Sequence, residues 1–236
     1  MTDDKSQPLP RRDFVSQIAV SALALAGTGC ATGAAASASP SASTSSTPRP
    51  ATQTTWDDSW FGRLKAKHRA VFEQPEIDMG SGPSYAVRYL TGMRDALGVD
   101  DAQAVVVLRH QAVPLVLDDA MWEKYGIGEE RKLKGAGDAW QLKNPVATPR
   151  GASRTAEPGR PQGNVPWLTA NGHIVLGCNI ALQAYAAIVS RKVSGQQTTI
   201  YEELRAHLLP GVIMQPNGVY ATHRAQEAGC TYIRCP

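Results

Sequence analysis

Cys178 is the residue best placed to do chemistry. It stands in His173-Ile-Val-Leu-Gly-Cys-Asn-Ile-Ala-Leu182, where a β-branched apolar run ends on a thiol and an apolar-periodic helix starts directly after it. Open α/β sheets form their ligand crevice outside the carboxyl ends of the strands, so this thiol is predicted at a crevice rim. The thiolate is the nucleophilic form of cysteine, and the free N–H groups and dipole of a helix start stabilise it. The competing reading is a cysteine packed as a small hydrophobe between strand and helix. His110 follows the run Ala104-Val-Val-Val-Leu108, which ends on the same predicted sheet edge. An imidazole there can orient a ligand or donate a proton near neutral pH, or it can simply be a strand-end histidine held by backbone groups. Arg109 is predicted on the opposite face from its neighbour, as a solvated charge in preference to an anion contact.

Three further residues are candidates for ligand contact. Asn179 follows the thiol directly. Asn217 and Gly218 form a turn between a predicted strand and helix, and the N–H groups of that turn could line the same crevice. Gln226 is assigned to packing. His68, His173, His207 and His223 show no spacing that makes them a metal set, so no metal is expected. Gly80-Ser-Gly82 is too short for a phosphate loop and no dinucleotide fingerprint is present, so no cofactor is expected.

The amino terminus looks like an address. Arg11-Arg12-Asp13-Phe14-Val15 is a twin-arginine pattern, and the apolar stretch after it, Val15 to Ala26, is too short to span a bilayer. Residues 1–30 are therefore expected to be a twin-arginine signal peptide, making the protein periplasmic or otherwise extracytoplasmic. Gly27-Thr-Gly-Cys30 resembles a lipoprotein box, with lipid anchoring at Cys30 as the less favoured outcome beside ordinary cleavage near Ala34-Ala35-Ala36. Residues 31–55 are rich in Ala, Ser, Thr and Pro and read as a disordered linker. Residues 56–236 make one domain, with no membrane-spanning segment. Losing residues 1–30 removes equal numbers of acidic and basic groups, so the net charge stays at +3. The bases are scattered without an aromatic-basic stripe, which argues against a nucleic-acid partner.

Export means an oxidising compartment, and the mature chain keeps an odd number of cysteines, Cys178, Cys230 and Cys235. The last two flank Thr-Tyr-Ile-Arg, a predicted strand that would hold their Cα atoms roughly 16 Å apart, beyond disulfide reach. At least one thiol should stay free or bond between subunits.

The remaining elements alternate. His68 to Ile77 is a strand candidate. Ser81 is expected to cap a helix whose apolar face is Ala86, Leu90, Met93 and Leu97, with Gly98 closing it. Asp118 caps a short helix to about Tyr125. Residues 132–166 lack periodicity and read as a long surface loop, either an ordered lid or disordered. A helix from Ile180 to about Val189 follows the Cys178 strand. Thr199-Ile-Tyr-Glu202 reads as a capping box for a helix to Leu209. Gly211 to Gln215 is a strand, Val219 to Ala228 a helix closed by Gly229, and Cys230 to Arg234 the last strand. The alternation predicts a three-layer, flavodoxin-like α/β fold with a mostly parallel sheet of about five strands and helices on both faces.

On these elements several motifs resemble the DsrE/DsrF-like family. Val105-Val-Val-Leu-Arg-His-Gln-Ala112 looks like the family's second-strand motif. Val175-Leu-Gly-Cys178 with Ala181-Leu182 is similar to the strand that carries the reactive cysteine in its sulfur-transfer members. Leu208-Leu-Pro-Gly-Val212, Pro216-Asn-Gly-Val219, Ala225-Gln-Glu-Ala-Gly229 and Tyr232-Ile233 match its carboxyl-terminal signature. The resemblance runs from Arg69 to Ile233, apart from 132–166. It implies a sulfurtransferase-like carrier holding sulfane sulfur as a persulfide on Cys178, with His110 in support, a thiol- or sulfur-bearing partner and a homo-oligomer. Family members of this kind work in the cytoplasm, whereas this chain is addressed outward. The alternative is a non-catalytic module of the same fold that binds a small ligand or a protein.

Overall fold

In a computed structural model, residues 56–148 and 163–236 are described. The expected signal peptide and linker, residues 1–55, lie outside them, as do residues 149–162 within the expected loop. Five strands, β1 (His68–Gln74), β2 (Ala102–Leu108), β3 (Ile174–Cys178), β4 (Val212–Gln215) and β5 (Thr231–Arg234), form one sheet in the order β4-β3-β2-β1-β5, with every neighbouring pair parallel. The helices are α1 (Ser81–Leu97), α2 (Asp119–Tyr125), α3 (Ile127–Glu130), α4 (Val165–Ala170), α5 (Asn179–Val193), α6 (Gln197–Ala206) and α7 (Gly218–Glu227), with 3₁₀ turns at Ser59–Arg63, His110–Val116 and Ala136–Asp138. The expected α/β architecture is present, with helices on both faces. None of the described helices is long and apolar enough to cross a membrane.

Handedness decides which helix covers which face. Parallel crossovers are almost always right-handed, so successive steps in one direction keep their connections on one face. The chain steps from β1 to β2 to β3 to β4 and then returns to the far side of β1 for β5, which sends α7 to the opposite face. The two cores follow this division. Ala70, Phe72, Ala104, Val106, Leu108 and Val175 pack with residues of α1, α5 and α6, including Leu90, Leu182 and Leu204. Val71, Val105, Val107, Ile174 and Leu176 pack with Ala221 and Ala225 of α7 and with Trp60 and Leu64. Successive strand residues alternate between the cores, and both sets are buried, which is why β2 reads as an unbroken apolar run.

Several local expectations are corrected. Ser81 is the first residue of α1 and not its cap. Asp78 Oδ1 accepts the N–H groups of Gly80 and Ser81 at 2.8 and 2.9 Å, and Gln74 Oε1 accepts that of Gly82 at 2.8 Å. Gln74 reaches the helix start from the end of β1, a tertiary contact with no local signature. The apolar face of α1 holds through Ala86 and Leu90, but Leu97, its last residue, is 65% exposed. Thr199 lies inside α6, which starts earlier at Gln197, so its capping box is unused. Asp118 does cap α2, accepting the N–H of Met121 at 3.1 Å, and Gly98 closes α1 in the left-handed conformation at φ 64°.

The described parts of the 132–166 segment are tied to the core. Asn144 is buried and donates to the carbonyls of Leu115 and Leu117 at 2.9 and 2.6 Å, while Val146 is fully buried. Helix α4 begins inside the expected loop, with Asn164 Oδ1 accepting the N–H of Trp167 at 2.8 Å. A single buried amide that satisfies two carbonyls anchors a chain without any periodic pattern.

At the amino end of β3, buried His173 accepts the N–H of Ala104 on Nδ1 at 3.4 Å and lies against the Trp167 ring at 5.6 Å. Burial pushes its pKa down to about 4. In the unfolded chain the imidazole takes up its proton near pH 6.5. Stability is therefore expected to fall as pH drops from about 6.5 to about 4, by on the order of 3 kcal/mol from this group. Urea unfolding of wild type and His173→Asn across that range tests this: the variant should lose that share of the slope.

Candidate functional site

Adjacent strands whose outgoing connections leave to opposite faces part at their carboxyl ends and open a crevice. Here those strands are β3, which feeds α5 over one core, and β4, which feeds α7 over the other. A cleft of about 500 Å³ lies there, and Cys178, His110, Asn217 and Gly218 all line it. Four of the five expected site residues thus converge from three separate segments.

Cys178 ends β3 opposite Gln215 of β4 and is the N-cap of α5. Its Sγ accepts the N–H of Ala181 at 3.4 Å, so the thiol serves the capping function that Ser or Asp serves elsewhere. Negative charge on that sulfur would meet a helix amide and the positive end of the α5 dipole. The residue is 7% exposed: it lies at the floor of the cleft, neither entombed nor on the surface. Gly177, just before it, has no room for a side chain, since a Cβ would come within 2.4 Å of Met214 Sδ on β4.

Arg109 and His110 arrive from β2, whose Leu108 pairs with Gly177. His110 is in the left-handed region at φ 52°, uncommon for a residue with a side chain. This turn starts a 3₁₀ segment and leaves the imidazole 60% exposed, with Nδ1 4.0 Å from Glu76 Oε1. The expected solvated Arg109 is corrected. It lines the cleft, and its Nε donates to Glu73 Oε1 at 2.6 Å. Glu73, buried on β1, also accepts from Tyr232 at 2.6 Å and from Thr222 at 3.3 Å. Burial alone would raise the Glu73 carboxyl, but Arg109, Tyr232 and Thr222 together bring it below its ordinary value.

Asn217 caps α7, its Oδ1 accepting the N–H of Tyr220 at 2.8 Å. Gly218 is required by close approach: a Cβ there would lie 2.5 Å from the Arg109 Cβ. The Arg109 stem runs across the start of α7, and this glycine lets strand end and helix start touch. Asn179 is the exception. One step along α5 from Cys178, it turns away, accepts from the Tyr201 hydroxyl and lines a separate cleft with Trp56, Gln183 and Arg205.

Sequence reasoning missed Glu73, Arg131 and Tyr185. Arg131 and Tyr185 close the far end of the cleft, with the guanidinium 5.0 Å over the ring. Glu73 leaves a trace in the sequence as the one carboxylate of β1, directly after Ala70-Val-Phe72. Arg131 leaves none, because it follows α3 in a stretch without pattern.

The three cysteines occupy three environments and none is bonded to another. Cys230 belongs to the smaller core and Cys235 to the larger, on opposite faces of the sheet, as their odd spacing across β5 demands. Burial pushes the Cys230 thiol up to about 11 and the Cys235 thiol up to about 12.

No family model matches the chain, and no curated protein matches it. Among solved structures it is similar to MTH1491, a protein of unknown function from Methanobacterium thermoautotrophicum, at 19% identity over 72% of this chain and 100% of that one, with a TM-score of 0.34.

Because thiolate is the reacting form, brief alkylation of the native protein near pH 8 should modify Cys178 well before Cys230 and Cys235. Peptide mass spectrometry reads the order. Equal modification of all three would mean that the cleft gives the sulfur no access.

Proposed function

We propose that this is an exported DsrE/DsrF-like protein that carries sulfane sulfur as a persulfide on Cys178. The observation that carries the reading is the Cys178 sulfur itself, which accepts a helix amide at the floor of a cleft shared with His110. Of the motifs that resemble the family, those around His110, Cys178 and Asn217-Gly218 line that cleft. The Cys178 thiolate attacks the sulfane sulfur of a donor such as polysulfide, and the donor's S–S bond breaks with its electron pair leaving on the shortened polysulfide. An acceptor thiolate then attacks the outer sulfur of the persulfide and releases the Cys178 thiolate. His110, exposed at the rim, supplies or takes the proton that accompanies release. Arg109, held by Glu73, presents positive charge to the same space. The partners are thiol- or sulfur-bearing molecules or proteins, and the protein acts as a homo-oligomer.

A second reading is favoured by the low exposure of Cys178: a binding module in which the thiol only caps α5 and the cleft holds a ligand without turnover. The two separate on exposure to polysulfide followed by intact-mass measurement. The carrier gains about 32 Da on wild type and nothing on Cys178→Ser. Equal gain on both proteins, or none on either, leaves the binding module.

Export by the twin-arginine route is tested by fractionation. An Arg11→Lys, Arg12→Lys double variant is expected to accumulate uncleaved in the cytoplasm, with wild type shortened and outside it. Identical distribution of the two would remove the export reading.

A further inference from the structure

The end of the cleft farthest from the thiol is built differently from the end near it. The cleft runs beside α5 past Ala181 and Ala184 to Tyr185 and Ile188. At the helical rise, Tyr185 lies about 10 Å along α5 from Cys178. The walls between are aliphatic. Tyr185 is 1% exposed, and its hydroxyl has no hydrogen-bond partner among the described residues. A buried hydroxyl without a partner costs stability, and nearly all such groups in folded proteins are satisfied. Arg131 lies over the same ring with its side chain 12% exposed; its Nε is 2.8 Å from Glu130 Oε2 but makes no well-formed hydrogen bond there. An orphaned hydroxyl and the guanidinium over its ring, side by side at one end of an open and largely apolar cleft, are donors of the kind that an anionic head group requires.

We propose that the cleft takes a small aliphatic carboxylate whose head group is held by Arg131 and Tyr185 and whose apolar body lies along α5 toward Cys178. The inference rests on the preceding reading in taking this cleft as the working site. It deepens that reading by naming the class of molecule that carries sulfur in or out: a linear carboxylate with its thiol or persulfide at the far end. The carboxylate completes the hydrogen bonding of Tyr185. The chain covers Ala181, Ala184 and Ile188, and the sulfur end arrives beside Cys178, where Arg109 offsets its charge. Glu73 pairs with Arg109 and Glu130 with Arg131; neither carboxylate lines the cleft, although the charge of Glu130 also acts on Tyr185.

The test uses Cys178→Ser protein, so that no sulfur chemistry intervenes, titrated with hexanoate and with hexanol and followed by NMR. Hexanoate is expected to bind about tenfold more tightly than hexanol and to shift the methyl resonances of Ala184 and Ile188. Tyr185→Phe keeps the ring under Arg131 and removes only the hydroxyl. It and Arg131→Gln should each weaken hexanoate roughly fivefold or more and leave hexanol unchanged. Thermal unfolding of each variant confirms that it is folded. Equal affinity for hexanoate and hexanol, or hexanoate binding indifferent to both substitutions, overturns the proposal. Hexanoate selectivity without persulfide formation on wild type leaves this inference standing and removes the sulfur carrier. Persulfide formation without head-group preference does the reverse.

Discussion

The geometry of the site follows from a constraint on chain handedness. Because parallel crossovers are almost always right-handed, three steps in one direction pile α1, α5 and α6 on one face of the sheet. The single return step, from β4 across to β5, must then cross the other face. Helices leaving β3 and β4 therefore diverge, and the space between their starts cannot be filled by either. Cys178, Asn217 and Gly218 are the residues at those two departures. No feature of their side chains is needed to explain why they meet: the topology brings them together. Their residue types then determine what the meeting place can do.

A second constraint keeps that opening from collapsing. Burying a carboxylate near the end of a strand is unfavourable unless its acceptors are used. Glu73 meets this with three donors drawn from three elements, Arg109 after β2, Thr222 on α7 and Tyr232 on β5. The same network fixes the Arg109 stem against Gly218, so the polar core and the floor of the cleft are one assembly. Disturbing Glu73 would therefore reach the site through Arg109, without any contact between Glu73 and the thiol.

The sequence reveals the elements more fully than it reveals what joins them. β2 and β3 are legible because strands buried on both faces must be apolar throughout, and α5 because its start coincides with the end of such a run. Cys178, His110, Asn217 and Gly218 are legible as crevice-lining residues for a related reason: each stands where a strand ends, and the fold class gathers those ends. Asn179 obeys the same positional rule yet turns elsewhere, because one step at a helix start swings a side chain round the axis. Arg131, Tyr185 and Asn144 are invisible to such reasoning. Their roles depend on which surfaces happen to face one another after folding, and no period or motif encodes that. The capping of α1 by Gln74 and Asp78 in place of Ser81 is the same lesson on a smaller scale.

The separation of the thiols bears on how the chain could survive an oxidant. All three are buried, but Cys178 lines the crevice while Cys230 lies in the core under α7 and Cys235 in the opposite one, so the sheet itself stands between the last two. Native geometry thus works as insulation, and mispairing is available only to an unstructured polypeptide. A route that delivers cargo already assembled, such as the one suggested by Arg11 and Arg12, would spare this molecule the scrambling that threading a loose chain into the same surroundings would invite.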